Sequence, residues 1–171
     1  MADVQIGGAA ATQAGNALFT AAVDSVLITL DGGDASENAT AEFRNSITAT
    51  TIVLDDKTGE ATLTVNATNG AQTVAGTIVG GSSGDGTLTV IDDDADAAPD
   101  AITFSGRIGG TSAQVGDLTI GNATQGGSAV FTNANPVVIN RITITGGDNA
   151  AEDSIVELQD ALTATSTTLN D

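Results

Sequence analysis

The sequence predicts an all-β chain and, within that class, a β-solenoid of the parallel β-helix kind with coils of about 25–30 residues. Three observations lead there. Short β-branched runs closed by Gly, Asn or Asp recur along the whole chain, which is how strands and turns read. The runs "GEATLTV", "GDGTLTV" and "VGDLTI" set Leu63, Leu88 and Leu118 at intervals of 25 and 30, and "TVAGTIVGG" from Thr73 is answered by "TFSGRIGG" from Thr103 at a spacing of 30. Aromatic residues make up only 2% of the chain, so a core must be built from Val, Ile, Leu and Ala, which suits the narrow interior of stacked coils. A tandem β-sandwich of the immunoglobulin-like kind is the alternative, because a long repeat of about 114 residues also suits a sandwich. A sandwich does not require the shorter inner period, however, and usually carries a central aromatic.

Taken in order, the strand candidates are "VLITL" from Val26, "TIVL" from Thr51, "TLTV" from Thr62 and again from Thr87, "ITF" from Ile102, "DLTI" from Asp117 and "VVINRITIT" from Val137. Side chains alternate along a strand, so Leu63, Val65, Leu88, Val90, Leu118, Ile120, Ile142 and Ile144 should point inward, with Thr64, Thr89, Thr119 and Thr143 outward. "AEDSIVELQDAL" from Ala151 has a weak helical spacing, but its counterpart "SENATAEFRNSI" does not, so both read as strand or loop. About six or seven coils at the ~4.8 Å strand spacing would give a rod of roughly 30 Å.

A longer repeat overlies these coils. "TQAGNALFT" at Thr12 returns as "TQGGSAVFT" at Thr124, "GGDASENATAEF" at Gly32 as "GGDNAAEDSIVEL" at Gly146, and "NSITATTIVLDD" at Asn45 as "DALTATSTTLND" at Asp160. The chain reads as one repetitive β domain, 1–171, in which 3–56 is a first half-repeat, 57–117 a second, and 118–171 the first begun again. Both termini copy interior stretches, so neither looks capped, and head-to-tail association of identical copies is the expected consequence.

Composition excludes several functions. Twenty-two acidic residues, 17 of them Asp, stand against Arg44, Lys57, Arg107 and Arg141, for a net charge of −18. Phosphate neutralisation needs Lys and Arg, so nucleic acid and anionic membranes are poor partners. No apolar run could cross a bilayer. Without Cys there are no disulfides or thiolate metal sites, and without His, Trp or Tyr the usual general base and the stacking platforms are missing. The chain does not read as an enzyme. Its opening "MADVQIGG" has neither the basic start nor the apolar core of a signal peptide, so an exported chain would have lost its signal or be part of a longer parent.

With "ITATTIVLDDKTGEATLTV" at Ile47, "AQTVAGTIVGGSSGDGTLTV" at Ala71 and "ITFSGRIGGTSAQVGDLTIG" at Ile102 in view, the chain resembles the β-strand-repeat regions of large bacterial surface proteins. Autotransporter-like adhesins, filamentous haemagglutinin-like proteins and some surface-layer (S-layer) proteins contain such arrays. The resemblance implies an extracellular or cell-surface exoprotein forming a stalk, fibre or coat, and it supplies no catalytic residues.

Candidate sites are acidic. "DDDADAAPD" holds Asp92, Asp94, Asp96 and Asp100, oxygen ligands of the kind calcium takes, and its D-x-D-x-D start resembles a calcium loop. Ala97 stands where such a loop needs Gly, and Thr103 where it closes with Glu. Asp31, Asp34 and Glu37, with Asp148 and Glu152 in the second copy, offer paired calcium corners, against the competing reading that turn chemistry alone keeps Gly-Gly-Asp twice. "GGSSGDGTL" from Gly80 nears the calcium β-roll nonapeptide, but Gly84 and Leu88 each come one place late, and a Gly/Ser turn explains it. "NAT" at Asn38, Asn66 and Asn122 makes three sequons that are also ordinary turn residues. The outward Thr set, including Thr103, is better explained by β-propensity than by ice binding. The expected function is therefore a structural module of a surface fibre, filament or coat whose partner is another copy of itself. The alternative is an adhesin segment binding a glycan or host surface.

Overall fold

A computed structural model describes residues 2–8, 14–33, 37–68, 70–93, 99–132, 136–147 and 153–170. Among them every regular element is a strand: β1 (Val4–Gly7), β2 (Gly15–Phe19), β3 (Val23–Asp31), β4 (Ala39–Phe43), β5 (Ile47–Asp55), β6 (Ala61–Asn66) and β7 (Gln72–Gly80). The second half adds β8 (Asp85–Ile91), β9 (Ala101–Phe104), β10 (Val115–Ile120), β11 (Ser128–Phe131), β12 (Val137–Thr145), β13 (Ile155–Leu158) and β14 (Leu162–Asn170). Odd strands stack in order in one seven-stranded sheet and even strands in the other, and the named strand pairs are all parallel. This is a β-solenoid of about six turns. The sandwich is excluded, because its sheets are built from antiparallel neighbours.

Register carries the predicted stack. Leu63 lies beside Leu88, Leu88 beside Leu118, and Leu118 beside Ile142, with Val65, Val90, Ile120 and Ile144 forming the next file. All are buried except Ile144, which is half-buried near the C-terminal end. Thr64, Thr89, Thr119 and Thr143 face out in register. Turn lengths vary, so the coil measures 22 residues between Ala39 and Ala61 but 30 between Asp85 and Val115. Each fully buried Leu or Ile contributes about 1.5–3 kcal/mol, and the files run the length of the rod.

The nine-residue strands β3, β5, β7 and β12 bend. In β5, Ile47 and Ala49 are buried and then Ile52 and Leu54, so Thr50 and Thr51 both turn outward between them. β3 does the same at Val26 and Leu27, and β12 at Asn140 and Arg141. A strand that changes its inward parity must round a convex corner, so each bent strand supplies two sides of the coil and the straight strands a third. In β7 the corner falls at Gly76, whose φ of 132° suits glycine alone and whose missing Cβ leaves room for the Ala49 carbonyl of the coil before. The second side continues through Ile108, where Gly109 N–H donates to the Ile78 carbonyl and Val138 N–H to the Ile108 carbonyl.

This triangular section explains what the long repeat does in space. Phe19 stacks on Phe43 at 4.4 Å in the even sheet, whereas its copy Phe131 stacks on Phe104 at 5.1 Å in the odd sheet. The first half of β12, the copy of β3, pairs on the side that the second half of β3 occupies. The repeat therefore advances by a fractional number of coils and turns each motif onto the next side of the triangle.

Candidate functional site

Those of the predicted acidic residues that the structure describes fall at coil corners. At the corner after β3, Asp31 is buried, its Oδ2 accepts from Lys57 Nζ at 2.6 Å, and its Oδ1 accepts from the Gly33 N–H at 3.0 Å. Burial pushes the Asp31 carboxyl up, but the lysine and the N–H together hold it below the ordinary carboxylate value. Asp55, its register partner one coil on, is raised by burial and by the charges of Asp31 and Asp85, with Lys57 opposing. Glu37 Oε2 accepts from the Ala14 N–H at 2.7 Å, which ties this corner to the first coil. Asp34, Asp148 and Glu152 lie outside the described residues, as do Asp94 and Asp96.

Asp92 is buried just after β8, and its Oδ2 accepts from the Asp100 N–H. Among the described residues no three acidic side chains converge as a metal-ligating group. The turn at Gly80 is held by ordinary turn bonds: Ser82 N–H donates to Asp85 Oδ2 at 2.7 Å, and Gly84 takes a φ of 94°. Asn66 is buried with its amide nitrogen donating to Glu42, so a folded chain does not present this sequon for modification; Asn38 is exposed and Asn122 half-buried. The Thr ladder is single file, because the parallel column of Thr62 and Thr87 is continued by the Asp117–Arg141 ion pair.

The remaining feature is the last coil. β14 forms an edge of the even sheet and β13 an edge of the odd sheet. Ile155, Leu158, Leu162 and Leu169 are exposed there, and an apolar cavity of about 190 Å³ opens between the sheets, lined by Leu118, Phe131, Ile142, Val156, Leu158 and Thr167. At the other end of the rod Val4, Ala17, Phe19 and Val23 are only partly buried. Among the described residues, both terminal coils thus carry interior-type apolar side chains that are exposed or only partly buried.

Sequence reasoning did not single out Gln72, a buried polar residue that opens β7. Its signal was available: it stands two places before the inward Val74, so strand parity alone turns it inward. Comparison with family models, with curated proteins and with solved structures gives no match for this chain.

Proposed function

We propose that this chain is a structural module of an extracellular surface fibre, filament or coat, and that it associates end to end with other copies of itself. The observation that carries the reading is the last coil. Its unpaired strand edges and exposed Leu162 and Leu169 offer both the hydrogen bonds and the apolar contacts that a further coil uses throughout the interior. The half-buried Val4, Ala17 and Phe19 of a second copy supply a matching surface, with odd sheet continuing into odd and even into even. A heterologous contact of this kind does not close on itself and builds a filament. The surface charge of −18 opposes lateral clumping while leaving the end contact available. An extracellular setting is supported by the resemblance of its repeats to those of large bacterial surface proteins.

Light scattering and electron microscopy of the purified chain test the reading. Concentration-dependent rods of constant width are expected, and Leu169→Lys together with Leu162→Lys should abolish them while the far-ultraviolet spectrum stays that of a folded β protein. A strict monomer at millimolar concentration would sink the proposal.

A further inference from the structure

At the corner between β6 and β7, two buried amide oxygens meet no donor. Asn66 is 1% exposed and Gln72 5%, and neither Asn66 Oδ1 nor Gln72 Oε1 has a hydrogen-bond partner. Their nitrogens are committed: Asn66 Nδ2 donates to Glu42 Oε1 at 2.9 Å, and Gln72 Nε2 to the Asn66 carbonyl at 2.7 Å. Turning either amide over would set oxygen against oxygen, so both orientations are fixed.

Two carboxylates occupy that corner. Asp92 is 7% exposed and follows Ile91, the register partner of Asn66, so that it continues over Ala67, whose N–H donates to the Ile91 carbonyl at 3.0 Å. Asp100 leads into β9, whose Ile102 is the register partner of Gln72, and a Cβ placed on Gly70 would lie 3.8 Å from Asp100 Oδ2. The turn between Asn66 and Gln72 is thus flanked by Asp92 from the even sheet and Asp100 from the odd one. Buried acceptors left without a partner are costly, and a water molecule or a cation satisfies such oxygens; the two carboxylates beside them favour the cation.

We propose that this corner binds a hard divalent cation, calcium, with Asn66 Oδ1, Gln72 Oε1 and the carboxylates of Asp92 and Asp100 as protein ligands. The donor set is all oxygen, and two carboxylates balance a double positive charge. Calcium takes six to eight oxygens in irregular geometry and accepts amide and backbone carbonyls alongside carboxylates. Magnesium demands near-octahedral geometry and holds its water tightly, so it suits this turn less well. The proposal is independent of end-to-end association.

The test is calorimetric titration of chelator-treated protein with calcium chloride at fixed ionic strength, paired with melting curves. One calcium per chain is expected, with a melting rise of several degrees that sodium at equal ionic strength does not reproduce. Asp100→Asn should lower calcium affinity at least tenfold, with a melting loss that is larger in calcium than in chelator. Asp117→Asn, on the outer face, should leave calcium affinity unchanged. Absence of calcium heat, equal responses to calcium and sodium, or an Asp100→Asn penalty of the same size with and without calcium would overturn the proposal; the last two would reveal screening and a purely structural turn.

Discussion

β5 and β14 are copies of one sequence phrase, "ITATTIVLD" and "LTATSTTLN", and they live in opposite surroundings. Leu54 of β5 is 0% exposed, whereas its counterpart Leu169 is 76% exposed. Ile52, fully buried, is answered by Thr167 on the wall of the terminal cavity. Their corners differ too: the Asp31–Asp55 rung, with Lys57 across it, becomes a Thr145–Asn170 rung in which Asn170 Nδ2 donates to Thr145 Oγ1 at 3.3 Å. Near-identical strands thus contribute very different stability, because a coil gains most of its burial from neighbours on both sides and the last coil has only one.

The largest expected contrast comes from truncating the paired leucines. Leu54→Ala should cost about 2–5 kcal/mol in urea unfolding, since it opens a cavity between packed coils. Leu169→Ala should change monomer stability by less than about 0.5 kcal/mol. Equal costs would mean that the last coil is covered in solution.

The corner comparison comes next in size. Lys57→Met leaves the buried Asp31 carboxylate with the Gly33 N–H and should cost about 2 kcal/mol at neutral pH. Asp31 is held below its ordinary value, so its contribution is present above the unfolded carboxylate pKa and is lost as pH falls through the folded one. Melting curves of wild type and variant should therefore converge on acidification. No such pH-dependent gap should follow substitution of Asn170.

Thr167→Ile restores the residue type of β5 and fills apolar space, so it should stabilise by about 1 kcal/mol, read as a rise in melting temperature. The smallest effect is expected at Asp55. Its folded pKa is raised, so ionisation costs stability above that value, and the cost disappears as pH falls towards the ordinary one. Asp55→Asn should raise melting slightly at neutral pH and make no difference at about pH 3, below the ordinary carboxylate value.

The inward files were legible because alternation and coil spacing are local. The L-T-V triplets place Leu63 and Leu88 inward whatever surrounds them, and in-register stacking of coils then sets Leu on Leu. The bends were not legible. "VLITL" promises alternation from Val26, yet Val26 is exposed, because the corner between it and Ile28 depends on where the neighbouring coil also turns. At the candidate cation corner, the sequence offered Asp92 and Asp100 as a run of acid, but Asn66 and Gln72 join them only through register across sheets. At the terminal coil, the cavity behind Thr167 was not legible, because it arises from packing between the two sheets.

By itself, then, the sequence determined the all-β class, the parallel coil and its inward aliphatic files, since these follow from side-chain alternation and a period of one coil. Only the tertiary structure decided that the coil has three sides, that the long repeat moves each motif to the next side, and which copy of a phrase is buried. The physical reason is that corner positions and burial depend on the coils above and below, and two copies of one phrase can carry the same local preferences into different neighbours.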